Sequence, residues 1–171
     1  MLNRVIKILL IICFLTLSVF QFMKGNIGNG IMLIILALLV LLLYFRNENI
    51  IMAFFYLKKQ KLEKSRKWLS RIKSPEKTLV RSQQAYYYYM LGLIEGQKSM
   101  TQSEKYLKKA LSIGLGMKHD RAMAKLNLAA IAISKRRKRE ATNLLAEVKK
   151  LDKAKIFSEQ IKAVKDQLKR I

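Results

Sequence analysis

Two long apolar segments precede any regular alternation of apolar and polar positions in the chain. Residues 5–22 read VIKILLIICFLTLSVFQF with Lys7 as the only charge, and residues 27–45 read IGNGIMLIILALLVLLLYF with none. A helix of about 20 apolar residues crosses the roughly 30 Å hydrocarbon layer of a bilayer, and a lysine near its end can extend its amine to the interface. The pattern therefore predicts a hairpin of two transmembrane helices within residues 1–46.

Two other interpretations of these segments fit the residues less well. A signal peptide has a shorter apolar core and small residues at its cleavage site, and the stretch LSVFQFMKG at residues 17–25 offers neither. A buried helix of a soluble domain is rarely apolar on all sides over five turns. We therefore expect an integral membrane protein with two spans.

The cations that flank the two segments predict how the hairpin is oriented. The turn between the segments contains only Lys24, whereas the remaining nearby cations lie at the outer ends: Arg4, Lys7, Arg46, Lys58, Lys59 and Lys61. Because loops rich in Lys and Arg stay in the cytoplasm, we expect a multi-pass protein of the cell membrane with both termini cytoplasmic. The single cysteine, Cys13, lies within the first span, so no disulfide is expected in the cytoplasmic part.

The rest of the chain, residues 47–171, has apolar residues mostly at spacings of three and four, which is typical of amphipathic helices. Three stretches of it can be aligned with one another: residues 51–72, 90–111 and 127–148. Each contains an apolar residue followed by a small one, a second small residue about a dozen positions later, and two further anchors. In order, these positions are Met52 and Ala53, Leu91 and Gly92, Leu128 and Ala129; Ser65, Ser103 and Ala141; Leu69, Leu107 and Leu145; Ile72, Ala110 and Val148.

This alignment resembles the tetratricopeptide repeat (TPR), in which small residues lie where two antiparallel helices touch. The small residues Ala53, Gly92 and Ala129 are spaced by 39 and 37 residues, whereas the family repeats every 34, and the proline that closes each family unit is absent. The resemblance implies an all-α fold, a short TPR-like α-solenoid of helix–turn–helix units. The units would cover about residues 47–73, 80–113 and 120–150. Another type of α-solenoid is the alternative.

Local signals predict where several helices begin. Residues 74–76, Ser-Pro-Glu, form a helix start, Thr101 with Glu104 forms a capping box, and Asp120 and Asp152 can each cap a helix. The last of these helices would cover residues 153–171 and cap the array. Its apolar stripe comprises Phe157, Ile161, Val164, Leu168 and Ile171.

Charge is concentrated in the predicted cytoplasmic part. The chain has a net charge of +23, and residues from Arg46 onwards hold 31 of the 34 basic residues and all 11 acidic ones, which leaves +20 there. Such a surplus attracts nucleic acid, anionic lipid or acidic proteins. The densest run, SKRRKRE, falls where the third unit turns between its helices, and we interpret it as a solvated turn with a basic patch as the alternative. That patch would consist of Lys135, Arg136, Arg137, Lys138 and Arg139.

The sequence contains no recognisable catalytic or metal-binding motif. The one histidine, His119, has no second histidine or paired nucleophile, and the acids form no metal-ligand spacing. Residues 92–99, GLIEGQKS, differ in spacing from a phosphate-binding loop and follow no strand. We therefore expect no enzyme activity, no cofactor and no metal.

The aromatic run AYYYYM, residues 85–90, favours protein binding, because four consecutive tyrosines cover most of a helix and cannot all be core. The resemblance implies that first helices line a concave groove, which the C-terminal helix of a short array can also fill. The predicted groove residues are Ile50, Phe54, Tyr86, Tyr89, Leu93, Met123, Leu126, Ala130 and Ile133. We expect a membrane-anchored scaffold for an acidic or amphipathic protein partner. The alternatives are a membrane-attached binder of nucleic acid or anionic lipid, and an accessory subunit of a larger membrane complex.

Overall fold

The computed structural model describes residues 4–45 and 47–169. Helix accounts for 81% of the protein, and the described residues contain no strand. The predicted all-α class is therefore confirmed. The chain divides into two compact units between Ile51 and Met52. Within the described residues there are ten helices: α1 (Arg4–Met23), α2 (Ile27–Phe45), α3 (Glu48–Lys58), α4 (Leu62–Leu69), α5 (Pro75–Thr78), α6 (Arg81–Glu95), α7 (Met100–Ile113), α8 (Lys118–Ser134), α9 (Lys138–Leu151) and α10 (Ser158–Lys169).

In the first unit, α1 and α2 pack against each other as an antiparallel pair. The buried hydroxyl of Ser18 donates a hydrogen bond of 2.9 Å to the carbonyl oxygen of Gly30, so the two helices approach closely near their connection. The helix α1 ends at Met23, and Gly25 in the turn that follows has a positive φ of 77°, which suits a residue without Cβ. Among the described residues, Val5–Met23 is long and apolar enough to cross a membrane, and Ile27–Leu42 is an apolar helix that is shorter.

The second unit, which includes α3 from Met52 onwards, is built largely from consecutive helix pairs: α3 with α4, α6 with α7, and α8 with α9. The small residues of the sequence alignment lie where the helices of each pair meet. Ser65 donates a hydrogen bond of 2.8 Å to the carbonyl oxygen of Ala53, and Ser103 donates one of 2.7 Å to that of Gly92. In the third pair the equivalent positions, Ala129 and Ala141, are alanines and are fully buried. The large anchors next to these contacts are buried as well: Leu69, Ile72, Leu107, Leu145 and Val148.

The first and third pairs have the same turn between their helices. Gln60 and Arg136 both have a φ of +56°, and each follows a helix end of the Schellman type. The Lys61 amide donates to the Tyr56 carbonyl over 2.9 Å, and the Arg137 amide donates to the Ala132 carbonyl over 2.8 Å. The recurrence of one turn at positions 76 residues apart in the sequence is independent support for the alignment.

The middle pair connects its helices differently, and the predicted capping box there is wrong. Ser99, which precedes α7, is the N-cap and accepts a hydrogen bond from the Gln102 amide. Thr101 lies within the helix instead. The connection between these two helices, residues 96–99, has four residues, against three in each of the other two pairs, and its last residue, Ser99, has a hydroxyl that can accept the capping hydrogen bond. The predicted start at Pro75 is confirmed, because α5 begins there.

The helix α10 packs on α8 and α9, and Phe157 and Ile161 belong to the same buried cluster as Leu126 and Leu145. Asp152 does not begin this helix, because its carboxylate accepts the backbone amides of residues 156 and 157, and α10 starts at Ser158. Asp120 is likewise no cap, since α8 starts at Lys118 and Met117 holds the capping position. The residues Arg46 and Ile171, which the sequence analysis also used, lie outside the described residues.

Candidate functional site

Three aromatic rings join the first helices of the first two pairs. Tyr86 of α6 contacts Phe54 of α3 edge to face, with ring centroids 6.3 Å apart, and contacts Tyr89 in the same way at 6.3 Å. The Tyr86 hydroxyl also donates a hydrogen bond of 2.8 Å to Oδ2 of Asp120, near the start of α8. Tyr86 therefore connects α3, α6 and α8, which are the three helices that carry the predicted groove.

The predicted groove residues differ in how far they are exposed. Tyr89, Leu126 and Ile133 are buried, at 4%, 5% and 6% exposure, so in this structure they contribute to the core and not to a surface. Ile50 is buried too and lies in the first compact unit. The half-buried members, which keep some surface for a partner, are Phe54, Tyr86, Leu93, Met123 and Ala130.

Packing of α9 and the C-terminal segment against α8 accounts for the burial on α8. Leu126 and Ile133 belong to one buried cluster with Phe157 and Ile161, and Met123 packs against that cluster. His119 stacks on the ring of Phe157, with centroids 4.7 Å apart, which gives the single histidine a packing role. The part of the predicted groove that stays accessible therefore comprises Phe54 of α3, Tyr86 and Leu93 of α6, and Ala130 of α8.

Burial raises the pKa of Tyr89, the central phenol of this region, above its ordinary value, and the neighbouring Asp120 and Tyr86 act in the same direction. The remaining two tyrosines of the run point elsewhere: Lys109 lies 4.1 Å from the centre of the Tyr88 ring and bonds both its hydroxyl and Glu76. The run of four tyrosines thus divides between two sides of α6.

Two residues of the basic run 135–139 take part in a network of ion pairs that links neighbouring helix pairs. Lys135 and Arg137 contact the two carboxylate oxygens of Glu104 on α7 at 2.6 and 2.7 Å. Lys108 bridges Glu104 and Glu140 at 2.7 and 3.0 Å. These cations lower the pKa of Glu104 to about 2, with the hydrogen bonds from Lys108 and Lys135 as the main causes. Two of the five residues of the predicted patch therefore have a structural role.

The other three residues of the predicted patch, Arg136, Lys138 and Arg139, are exposed, and their side chains form no ion pair within residues 4–45 and 47–169. An open depression of about 620 Å³ lies beside them on α9. Its lining also includes Glu140 and Glu147, so both signs of charge face it. Such a mixed lining does not select an anion, and the structure agrees with a solvated turn.

Sequence reasoning did not identify the central role of Glu104 or the bond between Tyr86 and Asp120. The spacing of four between Glu104 and Lys108 was a usable signal for one ion pair, whereas the contacts with Lys135 and Arg137 link residues more than 30 positions apart.

No group of three or more potential metal ligands occurs among the residues that the structure describes. No protein-family model, no curated protein and no solved structure matches this chain.

Proposed function

We propose that this protein is a membrane-anchored scaffold. Its first two helices would form a transmembrane hairpin with both termini in the cytoplasm, and its helix pairs would form a short TPR-like solenoid. The solenoid would hold an acidic or amphipathic protein partner at the inner face of the membrane.

The membrane anchor is supported by what α1 and α2 leave exposed. Large apolar side chains face outward along both helices, among them Leu9 at 59% and Leu38 at 58% exposure. In water such a surface would be unfavourable by about 25 cal/mol for each Å², whereas lipid tails cover it at no such cost. The polar contact between Ser18 and Gly30 is directed inward, where it joins the helices.

The observation that carries the partner proposal is the half-buried surface around Tyr86. Phe54, Tyr86 and Leu93 recur on neighbouring first helices, and Leu93 follows Tyr86 by two helical turns, so both lie on one face of α6. An amphipathic helix is recognised by such a row of apolar contacts. The net charge of +20 beyond residue 45 would favour acidic partners and accelerate their association.

Photo-crosslinking in intact cells tests the partner proposal. We place a photoreactive phenylalanine analogue at Leu93 and, as a matched control, at Lys105, which is exposed on the second helix of the same pair. A discrete protein adduct should form from residue 93 and not from residue 105, and the captured chain should be acidic or contain an acidic amphipathic helix. Equal adducts from both positions, or nuclease-sensitive adducts, would contradict it.

Cysteine labelling tests the anchor separately. In a Cys13→Ala background, Asn26→Cys in the turn between α1 and α2 should react with an impermeant maleimide added to intact cells. Gln167→Cys on α10 should react only after the cells are lysed, because both residues are exposed but lie on opposite sides of the membrane in the proposal. Labelling of residue 167 in intact cells would exclude the proposed topology.

A further inference from the structure

A second charged cleft lies between the end of α9 and α10. It has a volume of about 430 Å³, and its lining includes the four lysines Lys149, Lys155, Lys162 and Lys165. Unlike the depression beside the basic run, its lining contains one acidic residue, Asp152. The electrostatic field in this cleft is therefore set by the lysines.

The only carboxylate of the lining is already engaged. Oδ1 of Asp152 accepts the amide of Ile156 at 2.9 Å, and Oδ2 accepts the amide of Phe157 at 2.8 Å. In the described part of the chain, none of the four lysines forms an ion pair, and the nearby Asp166 contacts Lys169 instead at 3.6 Å. The cleft thus holds four lysines and one carboxylate, and within the described residues no lysine of the lining is paired with an acidic side chain.

Two of these lysines are close enough to perturb each other. The neighbouring Lys149 amine holds the pKa of Lys165 below its usual range, and Lys169 adds to the effect. Two like charges held in this way repel each other, whereas a multivalent anion between them would convert the repulsion into attraction.

We propose that this cleft binds a phosphate group through Lys149 and Lys165, with Lys155 and Lys162 supplying further positive charge. A phosphate monoester carries close to two negative charges and offers three terminal oxygens, so it can accept hydrogen bonds from several ammonium groups at once. Lysine is a common phosphate ligand of this point-charge type. The phosphate can belong to the headgroup of an anionic lipid or to a soluble ion, and the chemistry of recognition is shared.

The site is separate from the surface around Tyr86, and it does not depend on the proposed protein partner. Single-stranded nucleic acid is the less suitable ligand, because its binding relies on aromatic side chains that stack on bases, and no aromatic residue lines this cleft among the described residues. The partner proposal and the phosphate proposal can consequently fail independently.

Lysine footprinting on the full chain in neutral nanodiscs tests the inference. Acylation of each lysine by an amine-reactive ester is measured by mass spectrometry in three samples: phosphatidylcholine alone, the same discs with inorganic phosphate, and discs containing phosphatidic acid without free phosphate. We expect Lys149 and Lys165 to be protected about tenfold in at least one of the last two samples, as for the loss of a strong charge-assisted contact. Protection with phosphatidic acid alone identifies a lipid headgroup, and protection with inorganic phosphate identifies a soluble ligand.

Two matched double variants distinguish binding at this cleft from general electrostatic attraction of anions to the basic protein. K149Q/K165Q removes the two central charges, and K77Q/K105Q removes two exposed charges elsewhere that form no ion pair in the described residues. Phosphate or phosphatidic acid should bind the first variant about tenfold more weakly and the second almost as well as the unaltered chain. Equal loss in both variants, or uniform protection of all lysines, would overturn the proposal, as would the absence of protection in every sample. Circular dichroism checks that both variants keep their helix content.

Discussion

The hydroxyl of Ser103 donates a 2.7 Å hydrogen bond to the carbonyl oxygen of Gly92, and this bond joins the two helices of the middle pair. Ser65 makes the equivalent bond to Ala53 in the first pair, whereas Ala141 in the third pair has no hydroxyl to donate. At the equivalent position of the three helix pairs, the contact is therefore polar in two pairs and purely apolar in the third.

Removing this hydroxyl tests how much the polar contact stabilises the pair. Ser103→Ala should lower the free energy of unfolding by about 1 kcal/mol, because the buried Gly92 carbonyl loses one of its donors and keeps the amide of Gly96. Urea unfolding of the full chain in a mild detergent, followed by the fluorescence of Trp68, measures the change. Ser112→Ala is the control, since the Ser112 hydroxyl is exposed and bonds only within its own helix. An equal loss in the two variants would contradict the assignment.

The glycine at the same contact is required by close packing. A Cβ at Gly92 would lie 2.7 Å from the Leu107 side chain and 3.2 Å from its backbone nitrogen. Leu107 is fully buried and cannot move aside, so Gly92→Ala should destabilise the protein by about 1 to 3 kcal/mol. Gly116→Ala, where a Cβ meets nothing within 4 Å, should unfold like the unaltered chain in the same assay.

The left-handed turn at Arg136 offers a stabilising substitution. A residue with a side chain is strained at a φ of +56°, and glycine relieves this strain by about 1 kcal/mol. Arg136→Gly should therefore raise the urea midpoint, and Gln60→Gly should do the same at the equivalent turn. Arg136→Ala removes the same charge without relieving the backbone, so it should bring no gain. Stabilisation by the alanine variant would show that charge repulsion, not the turn, was responsible.

Protonation of Glu104 should lower the free energy of unfolding at acid pH. Its pKa falls from an ordinary value of 4.5 to about 2 in the folded protein, so the folded state binds fewer protons than the unfolded one between these values. Its contribution is complete above about pH 5 and is lost as the pH decreases towards 2. Because Lys108 and Arg137 are half-exposed, solvent weakens the pairs, and we expect Glu104→Gln to cost about 1 to 2 kcal/mol at pH 7.

The pH dependence provides the check on this assignment. The difference between the unaltered chain and Glu104→Gln should shrink as the pH is lowered through this range, since protonation removes the same ion pairs. Glu159→Gln is the control, because Glu159 is exposed and forms no ion pair among the described residues. A constant difference between pH 7 and pH 3 would exclude Glu104 as the titrating group.

The contacts within the helix pairs were predictable because the sequence pattern behind them is local. The spacing of Leu69, Leu107 and Leu145 after small residues follows from helix geometry alone, and these side chains are all buried. The helix starts at Thr101 and Asp152 were mispredicted for a related reason. Several polar residues near each boundary can cap a helix, and the length of the connecting turn decides among them.

By itself, the sequence determined that the chain is helical, that its apolar segments come first, and which residues form the contact within each helix pair. Such features depend on composition and on spacings of a few residues. Only the tertiary structure decided that Lys135 and Arg137 pair with Glu104, that Tyr89 is core while Tyr86 bonds Asp120, and that lysines from two helices share one cleft. These outcomes depend on distances between residues far apart in the sequence, because burial and charge pairing are set by neighbours in space.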